Sequence, residues 1–185
     1  MKSFLFVIDI QRGFMNKNTL PVKEKIDRLI DSDIFDCVIA TLYRNHSDSP
    51  ISRLMGWDEM MSSNEQTVVG LAENADYFVY KNVYSACSDS VVDMLKKENS
   101  GIEPECVYIV GVDTECCVLL TAADFFEKGI RPVVLADYCG STGGADSHNA
   151  GILSMQSIIG ENNIYSGTIH SKKEFFDKMK KARQV

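Results

Sequence analysis

Short apolar runs that alternate with helix-like stretches constrain this chain more than any other feature. Runs over residues 3–9, 36–42, 76–81, 106–112 and 131–137 have strand length and composition, with a weaker sixth near 163–165. Between them, segments 21–32, 88–99, 115–128, 146–159 and 171–182 carry a helical pattern. Strand and helix in alternation predict a parallel sheet covered on both faces through right-handed crossovers, that is, a three-layer α/β/α arrangement of about six strands. Gly129 fits a C-terminal cap for the third helix. Ser171-x-x-Glu174 reads as the capping box of the last, with Phe175, Phe176 and Met179 as its buried stripe. With 185 residues and 45% hydrophobic content, the pattern is that of a single domain over residues 1–185. The segment from Asn45 to Gly70 departs from it. Rich in Ser, Met and polar residues and long for a connection, it is a candidate lid or active-site loop.

Charge narrows the partners. A net charge of −7 and a pI near 5.0 argue against nucleic acid or an anionic membrane surface. Lys172, Lys173, Lys178, Lys180, Lys181 and Arg183 form a basic run that reads as the solvated face of a terminal helix. The opening Met1 to Ile8 imitates a signal peptide until Asp9, Gln11 and Arg12 end the apolar stretch, and no segment approaches the roughly 20 apolar residues of a membrane helix. A cytoplasmic protein is expected. Cysteines 37, 87, 106, 116, 117 and 139 match no small disulfide scaffold and show no zinc spacing, so reduced thiols are expected.

Three polar residues stand at strand tips. Asp9 ends the run Phe4 to Ile8, Lys81 ends Tyr77 to Tyr80, and Gly111 to Val118 follows Val107 to Val110 and opens a helix. In an open parallel sheet those tips share one edge, where ligands bind. A cysteine at a helix start gains from unpaired N–H groups and the helix dipole, which favour a thiolate and can hold an oxyanion. Position alone leaves Cys116 and Cys117 open. Neighbours on a helix point about 100° apart, so one of the two is expected to face a given pocket. Asp9 is placed to take the proton, and Lys81 to hold the pair and favour the thiolate. Gly140 to Gly144 lacks the lysine of a phosphate loop and reads as a turn. His148 reads as a helix residue packing near the sheet edge, and His46 and His170 carry no signal.

Val7-Ile8-Asp9-Ile10-Gln11-Arg12-Gly13-Phe14, Lys81-Asn82-Val83-Tyr84-Ser85-Ala86, Gly111 to Val118 with Thr121-Ala122-Ala123-Asp124, and Ala136-Asp137 with His148 resemble, in that order, the isochorismatase-like cysteine hydrolases. That superfamily includes nicotinamidases and N-carbamoylsarcosine amidohydrolase. The resemblance implies the isochorismatase-like, Rossmann-like form of the three-layer fold and selects Cys117 as nucleophile beside Asp9 and Lys81. It also implies a non-proline cis peptide between Val112 and Asp113, turning the backbone N–H groups of Asp113 and Cys117 toward the oxyanion. Gln11, Phe14, Trp57 and Thr114 are candidate substrate contacts; Phe14 and Trp57 either wall the pocket and stack on a planar substrate or simply pack.

One departure bears on metal. Nicotinamidases resemble one another in an Asp-x-His metal site after the second strand, and here Tyr43 and Asn45 stand where those ligands would be. No metal and no cofactor are therefore expected, and nicotinamide recedes as a substrate. The expected activity is cleavage of a C–N bond in a small amide or ureide through a thioester, in a homo-oligomer (dimer or tetramer, from the resemblance). The alternatives are a non-catalytic binding or regulatory protein of the same fold, and a vinyl-ether hydrolase of isochorismatase type.

Overall fold

The apolar runs form six parallel strands in a computed structural model that describes residues 2–181. In chain order the elements are β1 (Phe4–Ile8), α1 (Leu20–Asp31), β2 (Cys37–Tyr43), β3 (Tyr77–Lys81), α2 (Asp89–Glu98), β4 (Cys106–Gly111), α3 (Leu119–Glu127), β5 (Arg131–Cys139), α4 (Ala145–Ile159), β6 (Ile164–Tyr165) and α5 (Lys172–Lys181). The sheet order is β3-β2-β1-β4-β5-β6, so the chain winds outward in one direction after β1 and in the other after β4. That reversal opens a crevice beyond the C-terminal tips of β1 and β4.

Both faces of the sheet are covered, which is why β1 is apolar at every position instead of alternating. Phe4, Phe6 and Ile8 point into one core with Val91, Leu95, Phe125 and Met155. Leu5 and Val7 point into the other with Val22, Ile26, Phe175 and Met179. The central ring contact, Phe6 on Phe125, is edge-on at 5.0 Å.

The helices begin where local chemistry permits. Proline stands in the first turn of α1, where an N–H would have no partner. Ser88 caps α2 by accepting from the Val91 N–H at 3.3 Å. Ser171 Oγ likewise accepts from the Glu174 N–H at 3.3 Å. Gly129, at φ 80°, follows α3 in the left-handed region, its N–H bonded to Phe126 O. Lys172 pairs with Asp36 at 2.6 Å and Lys178 lies over the Tyr165 ring, so two of the terminal cations have partners. Arg183 and the end of the segment 171–182 fall outside the described residues.

Two expectations are corrected in detail. The helix expected over 115–128 is regular only from Leu119, because Thr114–Val118 forms a wider turn in which the Val118 N–H reaches Asp113 O, five residues back, at 3.2 Å. β5 runs two residues beyond Asp137, through a shift of register against β4 that re-pairs Gly111 with Cys139. The 45–70 segment contains a helical turn at Ile51–Met55, and Gly70 opens another that ends at Asn74. No helix among the described residues is long and apolar enough to cross a membrane.

Candidate active site

At the tip of β1 the chain turns through Asp9, held at φ 51°. Its carboxylate is fully buried. Thr41 Oγ1 of β2 donates to Oδ1 at 2.6 Å and accepts from the Asp9 N–H at 3.1 Å. Lys81, at the tip of β3, donates to Oδ2 at 2.7 Å, to Tyr84 O at 2.9 Å and to Val83 O at 3.2 Å. Its Nζ also lies 3.4 Å from Cys117 Sγ. The three side chains are therefore in one cluster, with Lys81 8% and Cys117 7% exposed.

Close backbone approach brings the cysteine there. Gly111 sits at φ 123° where a Cβ would come 2.2 Å from Ile8 O, so a side chain would push β4 away from β1. Gly151 of α4 performs the same service behind the turn, since its Cβ would lie 2.7 Å from the Glu115 N. The Val112–Asp113 peptide is cis. The turn after β5 clamps the front: Thr142 donates from N at 2.7 Å and from Oγ1 at 2.6 Å to the Asp113 carboxylate, and its own carbonyl accepts from Asn16 and Asn18. Ser141 bonds Glu115. Gly140 to Gly144, read from sequence as a turn, is one, and it holds the Asp113–Cys117 loop.

Electrostatics revise one expectation. Burial pushes the Cys117 thiol well above its ordinary range, the Asp9 carboxylate pushes it further, and Lys81 opposes both without prevailing. The resting sulfur is therefore a thiol facing a carboxylate, not the preformed thiolate expected from Lys81 and the helix start. Burial alone would lower the Lys81 ammonium, but the Asp9 carboxylate raises it, so it stays charged. Burial raises the Asp113 carboxyl, which the two hydrogen bonds from Thr142 partly offset.

In front of this cluster lies a cavity of about 270 Å³. Phe14, Tyr43, Trp57 and Tyr84 line it with Ile51, Met55, Asn16, Glu59, Asp113, Cys116, Cys117 and Thr142. Phe14 and Trp57 have nearly parallel rings 6.3 Å apart. Gln11 and Thr114, also candidates from sequence, do not line it. Gln11 is fully buried and ties Tyr43 O, the Tyr43 N–H and Gln66 O together. Thr114 donates to Gly140 O and bonds His148 Nδ1 at 2.8 Å. His148 is kept below its ordinary range by burial, so it braces the turn as a neutral ring. The expectation that only one cysteine faces the pocket is also corrected. Both border it, Cys116 from the partly exposed rim and Cys117 from the floor, with Lys81 behind its sulfur.

Sequence reasoning passed over Thr41 and Thr142. A threonine within the apolar run Cys37 to Tyr43 was the available signal for the first; nothing local marked the second. The residues weighed from sequence as a metal site do not fit one: Asn45 binds Trp57 O and Glu59 O, Tyr43 is buried with its hydroxyl raised to about 12 by burial, and His46 is exposed. Among the described residues no three His, Cys, Asp or Glu converge on a metal position.

A model of the isochorismatase domain matches residues 3–162. Isochorismatase family protein 1A of Dictyostelium discoideum is 32% identical over 66 residues, which is 36% of this chain. The match spans only 31% of that relative's length. Among solved structures, an isochorismatase-like hydrolase from Alkaliphilus metalliredigens superposes with a TM-score of 0.74 at 17% identity, covering 96% of this chain and 99% of that one. A pyrazinamidase/nicotinamidase from Streptococcus mutans superposes with a TM-score of 0.72 at 21% identity, covering 88% and 99%.

Proposed function

The chain belongs to the isochorismatase family, and from that premise we propose that it is a cysteine hydrolase cleaving a C–N bond of a small amide or ureide through a thioester. One observation carries the reading: Asp9, Lys81 and Cys117 meet in a buried cluster, with Cys117 at the floor of a cavity. Cys117 Sγ attacks the substrate carbonyl while its proton passes to Asp9. The N–H groups of Asp113 and Cys117 hold the oxyanion. Collapse of that intermediate breaks the C–N bond, and Asp9 returns the proton to the departing nitrogen. Water then loses a proton to Asp9, attacks the thioester and restores the thiol and the free acid. Lys81 stays protonated throughout, stabilising the negative charge that moves between Asp9 and sulfur. Because the resting group is a thiol beside a carboxylate, proton transfer accompanies attack instead of preceding it.

The Streptococcus mutans pyrazinamidase/nicotinamidase supports the reaction class, whereas Tyr43 and Asn45 remove any reason to route a step through a metal. A cytoplasmic setting and a homo-oligomeric state belong to the same proposal. The test is a broad amide and ureide screen of wild type beside Cys117→Ala, with intact mass after rapid quench. Turnover confined to wild type and an acyl mass on Cys117 is the expected result. Undiminished turnover by Cys117→Ala would overturn it.

A further inference from the structure

Charge is unevenly distributed around the cavity. Its lining includes four aromatic rings, Phe14, Tyr43, Trp57 and Tyr84, and two carboxylates, Glu59 and Asp113, but no Lys, Arg or His among the described residues. Of the cations that lie close in sequence, Arg12 bonds Asn64 and Arg44 lies 4.0 Å over the Tyr80 ring. Lys17 and Arg53 are exposed, and neither is part of the lining. Lys81 is the cation beneath the floor. Its charge is matched by Asp9 at 2.7 Å and wrapped by two carbonyls, with its ammonium 5.2 Å from the Tyr43 ring.

Aromatic faces attract cations, strongly when water is displaced, and carboxylates beside them add to the attraction. An anionic substrate would meet two carboxylates and no counter-ion, an arrangement that rejects it. We propose that the cavity selects a small amide carrying a positive charge, such as an ammonium or trimethylammonium group, over neutral and anionic amides. The inference rests on the hydrolase reading for its amide and on the cavity lining for its charge. Glu59, on the exposed side, meets the cation as it enters, while Asp113, fixed by Thr142, lies beside the nucleophile turn. The small volume limits the group to a few heavy atoms.

Three amides of similar size test this: glycine betaine amide, its uncharged carbon isostere 3,3-dimethylbutanamide, and succinamate. Each is titrated into Cys117→Ala protein, which separates recognition from chemistry. Trp57 is the one tryptophan of the chain, so its fluorescence reports occupancy. Glycine betaine amide should bind at least about tenfold more tightly than its isostere, and succinamate more weakly than either. Glu59→Gln, at an exposed position, should reduce the cation's advantage without altering the isostere, and Asp113→Asn should reduce it further. Equal binding of cation and isostere, or preference for succinamate, overturns the proposal. Turnover by wild type is then measured with the same three. Selective cation binding with no amide hydrolysed leaves the charge inference standing and defeats the hydrolase reading; hydrolysis of neutral amides with the cation rejected does the reverse.

Discussion

The floor and the wall of the cavity are built by opposite means. Asp9, Lys81 and Cys117 stand at or just beyond the tips of three strands, none more than 8% exposed; Thr41 of β2 fixes Asp9, the Tyr84 carbonyl fixes Lys81, and Lys81 reaches Cys117. The wall in front of them comes largely from the loop after β1 and the 45–70 segment, with Tyr43 of β2 and Tyr84 after β3; in the 45–70 segment Met55 is 68% exposed and Leu54 beside it 77%. Yet the wall is not loose. Asn45 binds Trp57 O and Glu59 O, and Gln66 binds the carbonyl of fully buried Met60. The sheet thus sets the chemistry, and pinned loops set what can reach it.

The comparison breaks most sharply at sulfur. Cys117→Ala or Cys117→Ser should lower kcat by at least about 10⁴-fold with the fold intact by circular dichroism, while Cys116→Ala, on the rim, keeps most activity. The reverse pattern would move the nucleophile to the wall.

Removing Lys81 attacks the floor's stability as well. Lys81→Met leaves the buried Asp9 charge without its ion pair, and urea unfolding should show a loss of about 3–5 kcal/mol beside the loss of turnover. A loss below about 1 kcal/mol would mean that the pair contributes no more than an exposed one.

On the wall, Trp57→Ala should raise KM about tenfold with kcat changed only a few-fold, because it removes contact area and not a reacting group. A kcat collapse instead would make the wall part of the catalytic machinery.

Alkaline pH sharpens the contrast further. Burial raises Cys87 and Cys139 to about 12, and Cys37 and Cys116 to about 11, against 9.0 for a free thiol. A group with a raised folded pKa contributes stability below the unfolded value and loses it as pH rises through the folded one. Melting temperature should therefore decline from pH 9 upward, and more gently in Cys139→Ala. Cys117 should alkylate slowly at neutral pH and faster as pH rises, since its thiol is raised too. Rapid labelling at pH 7 would show that Lys81 outweighs burial and Asp9.

The smallest expected effect is none: EDTA should leave turnover and melting temperature unchanged. One equivalent of zinc, iron or manganese, lost with activity and restored with it, would place a metal ligand set in the wall.

The alternation of apolar runs and helical patterns was enough to determine the three-layer parallel sheet, because a strand buried on both faces has to be apolar throughout and a surface helix on one side only. The same reading put Asp9, Lys81 and the Cys116-Cys117 pair at one edge of the sheet, since parallel strands align their tips. Choosing Cys117 took a family resemblance, because the cysteines are neighbours and both border the cavity. Tertiary structure alone decided the surroundings of sulfur: Lys81 is visible as a strand-tip cation, but the burial and the Asp9 carboxylate that push the thiol up arise only when the chain closes. It also decided that Gln11 and Thr114 brace the frame instead of meeting substrate, because their partners Gln66 and His148 lie 55 and 34 residues away. Long-range partners like these leave no mark on local spacing. Only the closed fold, by excluding water and bringing distant backbone groups within hydrogen-bond reach, assigns such polar side chains to scaffold or to site.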